Sequence, residues 1–258
     1  MIDPRAVVDS RATIGVNVTI SPYAIIGPEV EIGEGSWIGP HAVIKGPAKI
    51  GKFNKIYQFA SVGEDPQDKK YQGEKTFLEI GDHNVIRECV TINRGTVQGG
   101  EKTSVGHYNL LMAYVHIAHD CEIQDHTIFA NNASLAGHVK VESHAILSGF
   151  SMVYQYCVIG AYSFLAGGTG ITKDVLPYLT VSGSARDAAV FGLNSVGLKR
   201  HGFSDETLNS LKQAYKIIFR QNLTVPQAVE QLQILVTECP EVQLLITALE
   251  KSERGITR

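Results

Sequence analysis

The segment HIAHDC carries His116, His119 and Asp120, and LAGHV carries Gly137 and His138. An imidazole, with an unperturbed pKa of about 6.5, can accept a proton near neutral pH. An adjacent acid can orient it, and a glycine leaves its peptide N–H open to a ligand. Together these residue types suit general-base chemistry with an amide donor for a developing oxyanion. Each also has a plainer reading: a lone histidine at a turn is usually exposed and inert, and an aspartate often only turns the chain. The deciding question is whether they meet in space. Eighteen residues separate His119 from Gly137, and eighteen separate Gly137 from Gln155.

That spacing matters because of a hexad repeat. Every sixth residue from Val8 through Ile14, Ile20 and on to Val62 is a β-branched aliphatic. The phase resumes at Ile80, Ile86 and Ile92, and again from Val105 to Ile171. Two residues before each stands a small or β-branched residue such as Ala24, Ala42, Val115, Cys121, Ala133 or Cys157, on the same face of a strand. Cys121 and Cys157 therefore read as core fillers. A period of six does not fit a helix and predicts a mainly β protein, a parallel β-helix with three sides and 18 residues per coil, about eight coils high. Residues 18 apart then stack, so His119, Gly137 and Gln155 form a column. Asp120 lies beneath His138, and His116 lies on the flanking strand facing outward. Asn54, Asn109 and Asn132 read as structural.

Two polar insertions break the phase, at 64–76 and 94–102, and loops expelled from a regular prism are natural binding elements. The prism is expected over 1–180 and a connection over 181–203. A small α-helical domain follows over 204–258, with Ser204 opening its first helix. A capping box at Thr224 and Gln227 opens a second, and Pro240 starts a third.

Composition excludes several classes. The 23 basic and 26 acidic residues give a net charge of −3 and no electrostatic case for nucleic acid. No run is apolar enough to span a membrane, and the N-terminal residues do not read as a secretory signal. Four cysteines without a CxxC pair favour a reduced, cytoplasmic protein. No GxGxxG, Walker A or GxSxG motif is present.

HIAHDC, NNASLAGHV and RGTVQGG, with IYQFASVGE, QDKKYQGE, IGDHNVIRE, NLLM, LKRHGFS and the final RGITR, extend over essentially the whole chain. On these segments the chain resembles the UDP-N-acetylglucosamine acyltransferases that open lipid A synthesis in Gram-negative bacteria. The resemblance implies a left-handed prism and a homotrimer with active sites between neighbouring subunits. It implies transfer of an (R)-3-hydroxyacyl group from acyl carrier protein to the 3-hydroxyl of UDP-N-acetylglucosamine. It implies no metal, and no cofactor beyond the carrier's phosphopantetheine thioester. His119 is then the general base, Asp120 its orienting acid and the Gly137 N–H the oxyanion donor. Asp68, Lys70, His116, His138, Gln155, Asn194 and Arg200 map to substrate contacts. Gly167 maps to the acyl-length position, where a glycine leaves room for a long chain. Asn93, Tyr154, Val196 and His201 depart from the family's usual histidine, histidine, glutamate and arginine. They leave open the same chemistry on a 3-amino sugar nucleotide, giving N-acylation.

Competing readings are the hexapeptide enzyme that adds the next acyl chain to an amine, a γ-type zinc carbonic anhydrase using His116, His119 and His138, and a non-catalytic scaffold. The first carries an N-terminal sugar-binding domain, for which hexads beginning at Val8 leave no room. Lys199, Arg200, Lys212, Lys216 and Arg220 offer a basic surface to an acidic carrier.

Overall fold

The computed structural model describes all 258 residues, Met1–Arg258. Short strands run in rotation through three sheets of nine, eight and ten strands, and each strand pairs with the strand of the next coil. The first sheet runs from Val7–Val8 to Gly170–Ile171, the second from Thr13–Ile14 to Val158–Ile159, and the third from Thr19–Ile20 through Leu179–Ser182 to Ala189–Leu193. All pairing within the prism is parallel and, away from the insertions, in a register of eighteen. His116 pairs with Ser134, for example, and Ser134 with Met152. A parallel sheet normally needs helical crossovers. Here the coil itself is the crossover, so the three sheets close a triangular tube.

The hexad aliphatics fill that tube. Ile20, Ile56, Ile86, Ile117, Phe129 and Leu165 are buried with the small partners Ala24, Ala42 and Ala133 in one continuous core. Cys121 and Cys157 are buried in it too, and burial pushes their thiols up to about 12 and about 11, as inert fillers require. At most corners one residue turns the chain in the left-handed region, among them Asp120, His138 and Tyr156 at φ 60°, 63° and 64°. Inside the edge joining the second and third sheets, Asn54 and Asn84 reach up to carbonyls of the next coil. Asn84 and Asn109 then donate their N–H groups back to the asparagine below. Asn109 ends the ladder by accepting from Thr127. Asn132 is a corner residue at φ 62°.

The stretch 181–203, expected as a connection, has structure of its own. Ala189–Leu193 folds back antiparallel on Leu179–Ser182, and a short helix α1 (Ser195–Arg200) follows. Helices α2 (Asp205–Arg220), α3 (Val225–Val236) and α4 (Val242–Lys251) then pack around Leu211, Ile218, Leu232 and Leu245. Ser204 caps α2 through Thr207 N, and the Thr224–Gln227 capping box opens α3. The last residues return to the prism, where Ile256 bridges Asp174. No helix is long and apolar enough to cross a membrane.

Candidate active site

The edge joining the first and second sheets brings His119, Asp120, Gly137 and His138 together. His119 Nδ1 lies 2.7 Å from Asp120 Oδ2. With the proton on Nδ1, the pair leaves Nε2 unprotonated. The ring rests on the coil above: a Cβ at Gly137 would fall 2.5 Å from His119 Cε1, so only glycine admits the imidazole here. Gly137 is buried under that ring, and its own N–H donates to no group of the chain. The same N–H is unpaired at the equivalent corner position of the neighbouring coils, at His119 and Gln155; at Gly137 it lies beside the imidazole, where it can meet a ligand oxygen.

The electrostatics agree with that division of labour. Burial alone would raise the pKa of Asp120, but hydrogen bonds from His119 and from the Thr96 side chain and backbone outweigh it. They hold the carboxyl below its usual range, and it stays ionised beside the imidazole. His138 Nε2 is 3.6 Å from the same carboxylate oxygen, and its ring stacks on Tyr156 at 4.4 Å. Burial pushes His138 below the ordinary imidazole value against the pull of Asp120, and Asp68 from the first insertion lies within electrostatic reach of it. Burial, and then the charge of His119, likewise lower His116, whose Nδ1 sits 2.7 Å from Thr91 Oγ1.

The family described as Udp N-acetylglucosamine O-acyltransferase, Domain 2, matches residues 174–257. Over 257 residues the chain is 55% identical to the acyl-[acyl-carrier-protein]–UDP-N-acetylglucosamine O-acyltransferase of Pseudomonas entomophila, covering 100% of this chain and 99% of the relative. The chain belongs to this O-acyltransferase family. Among solved structures it is similar to LpxA from Acinetobacter baumannii, with a TM-score of 0.97 and 48% identity. The UDP-N-acetylglucosamine O-acyltransferase of Moraxella catarrhalis gives 0.98 and 46%; each comparison covers 100% of this chain and 99% of the other. The prism is the left-handed parallel β-helix of these acyltransferases, followed by their C-terminal helical domain. These names support O-acylation and neither N-acylation nor a carbonic anhydrase.

Other residues assigned from the acyltransferase resemblance fall in several places. Gln155 stands exposed one coil above Gly137, and Lys70 is exposed on the first insertion, its backbone N–H bonded to Asp68 Oδ1. Asn194 and Arg200 lie elsewhere in the chain, on the edge joining the second and third sheets. Asn194 caps α1 through Gly197 N and donates to Tyr162 O, so much of its amide is already engaged. Arg200 is exposed in the last turn of α1 with no carboxylate partner. Gly167 lies on the third edge, where an added Cβ would meet only Gly149 O at 3.6 Å. One chain therefore carries His119 on one edge and Asn194 and Arg200 on another.

Two departures have local explanations. Asn93 donates to Asp65 O and ties down the root of the first insertion, and His201 packs edge-on against His144 and Tyr162. Val196 is exposed and touches nothing that explains it. The side chains able to converge on a metal are His119, Asp120 and His138, with His116 outside the set considered for zinc. Both Asp120 oxygens already accept hydrogen bonds, which suits an orienting acid better than a ligand. Sequence reasoning missed Thr96, which holds Asp120 from outside the repeat, and Thr103, which holds it from the small inward position two before Val105. RGTVQGG was the only signal, and its break in phase hid where it docks.

Proposed function

We propose that this protein transfers an (R)-3-hydroxyacyl group from acyl carrier protein to the 3-hydroxyl of UDP-N-acetylglucosamine, the opening step of lipid A synthesis, as a cytoplasmic homotrimer. The observation that carries it is the oriented His119 lying over an unpaired Gly137 amide. His119 Nε2 takes the proton of the sugar hydroxyl as its oxygen attacks the thioester carbonyl. The tetrahedral oxyanion forms against the Gly137 N–H. Collapse breaks the carbon–sulfur bond, and His119 returns its proton to the departing thiolate. Proton and leaving group balance with one imidazole, so the step calls for no metal and no cofactor beyond the carrier's pantetheine arm.

The outer faces support the trimer. The second sheet presents Glu31, Lys49, Glu122 and Lys140, exposed and in part paired along the ladder. The first presents Val7, Ile25, Val43, Thr91, Ser134 and Met152. The third presents Trp37, Val85, Leu110, Ile128, Ile146 and Phe164. Prisms that keep the charged face in water and pair first face to third face close around a threefold axis. That packing sets the His119 edge of one subunit beside the Asn194–Arg200 edge of its neighbour. Arg200 is then free to grip a diphosphate, with Asp68, Lys70, His116, His138 and Gln155 holding sugar and acyl ends. Gly167 leaves room for a long acyl chain. Arg200, Lys212, Lys216 and Arg220 offer the carrier a basic surface, whereas Lys199 is paired with Asp205. Four thiols free of disulfides suit a reducing compartment.

The test is product mass spectrometry with UDP-N-acetylglucosamine, its 3-amino analogue and a ladder of acyl carriers, using wild type and His119→Ala. An ester product is expected, with turnover in the folded variant lowered about 10²–10⁴-fold. Wild-type protein that yields no ester, or a folded variant with unchanged turnover, refutes the assignment.

A further inference from the structure

Asp120 is held by more than its histidine. Its side chain is 0% exposed. Oδ1 accepts from Thr96 N at 2.7 Å, and Oδ2 accepts from Thr96 Oγ1 at 2.6 Å beside the His119 contact. One residue thus grips both oxygens of the carboxylate. The backbone beneath is fixed separately, because Asp120 N donates to Thr103 Oγ1 at 2.8 Å.

The grip comes from the second insertion rather than from the prism. Thr96 is 1% exposed, and its carbonyl accepts from Gly99 N and Glu101 N, closing the insertion into a tight turn. Gly99 lies so close to the carboxylate that an added Cβ would overlap it. The buried Arg94 ties this turn to the first insertion through Gly63 O, Asp65 and Tyr71 Oη. A loop expected from its position to bind substrate is built instead to seat a carboxylate.

The reason for such a seat lies in the torsion of the side chain. The last torsion of an aspartate is soft and broadly two-fold, so covalent geometry does not fix the plane of its oxygens. Hydrogen bonds must. We propose that Thr96 is a positioning residue for the acyl transfer: it locks the plane of the Asp120 carboxylate and thereby keeps the proton on His119 Nδ1, leaving Nε2 free to act. The groups facing the pair from other elements are His116, His138 and, behind His138, Asp68. None of them holds the carboxylate at both oxygens.

The inference rests on the proposed function for its turnover reading, but it has a second reading that needs no substrate. In Thr96→Val the hydroxyl donor is lost at nearly constant volume, and in Thr96→Ser it is kept. Nitrogen-15 spectra of histidine-labelled protein, assigned by difference with His119→Ala, are expected to show a single Nδ1–H tautomer at His119 in wild type and Thr96→Ser, and a mixture in Thr96→Val. For Thr96→Val, kcat should fall about ten- to a hundredfold, the usual cost of a misplaced catalytic group, with KM for both substrates unchanged. Thr96→Ser should restore most of kcat. An unchanged tautomer in Thr96→Val, a loss carried by KM, or a Thr96→Ser as impaired as Thr96→Val would overturn the proposal. Should Thr96→Val fail to fold by circular dichroism, Gly99→Ala pushes the same carboxylate directly. It is expected to mix the tautomers and lower kcat alone, and an unchanged His119 tautomer there would overturn the proposal equally. If wild type shows no turnover, the proposed activity fails while the tautomer comparison still decides the role of Thr96.

Discussion

An imidazole held from one side by an acid and packed against a glycine has little freedom left, and that restriction is the chemical content of the site. Gly137 serves it twice, by offering its N–H and by lacking a Cβ. Gly137→Ala keeps the amide donor but drives a methyl into the His119 ring. It should therefore lower kcat at least about a hundredfold, with KM for the sugar nucleotide little changed. Steady-state kinetics on the folded variant check this, and a loss under fivefold would show that the ring can shift at no cost. The contact was legible in the sequence, since eighteen residues along this repeat mean one coil upward. Thr96 was not legible, because an insertion has no period and so nothing in its letters says which corner it returns to. Asn93 was only half legible: its type marked a departure, but nothing in the letters says that its Nδ2 donates to Asp65 O while its Oδ1 stays buried without a partner.

At the scale of elements, corner residues form stacks of rings that the repeat of inward aliphatics did not reveal. On the edge joining the second and third sheets, Phe53, His83, Tyr108, His126, His144 and Tyr162 stack in turn, centroids 4.6–5.0 Å apart. His201 from the C-terminal region closes edge-on against His144 and Tyr162. Burial, and then His201 and His126, push His144 below the usual imidazole value. His116 and His138 are lowered as well. A histidine depressed in the fold binds its proton less readily there than in the unfolded chain. Its contribution is complete above the unfolded value of about 6.5 and fades as pH falls below it. Melting temperature should hence decline as pH drops from 6.5 to 5, and His144→Gln should flatten that decline. Equal slopes for wild type and variant, by calorimetry, would remove the stack from the account. The helices were easier to read, because Ser204 and the Thr224–Gln227 box write their starts into the sequence. The hairpin ending in Ala189–Leu193 was not, since an antiparallel return obeys neither six nor 3.6.

Taken whole, the molecule is a prism with one charged face and two largely uncharged ones. Ile25→Glu combined with Val43→Glu puts two carboxylates where a neighbour should pack. Unpaired buried charges cost several kcal/mol each. The proposed trimer is accordingly expected to give way to monomers in sedimentation at micromolar concentration, with turnover lost. Glu31→Lys on the charged face should leave the trimer intact. If sites are shared between subunits, co-refolding inactive His119→Ala with inactive Arg200→Ala should regain part of the turnover, because some interfaces then hold both native residues. No recovery would show that a site does not combine His119 of one subunit with Arg200 of another. The period of the hexads was enough to predict three faces, but which face meets which depends on the outward residues, and those became comparable only when stacked.

A tube whose strands each bond only to the turns above and below is built in storeys. Excising one complete storey of eighteen residues near the first strands would lower everything above it without rotating it, and the catalytic corner would still look the same way. Losing seventeen or nineteen would swing that corner out of line with its neighbour. The architecture is tolerant of height and intolerant of phase.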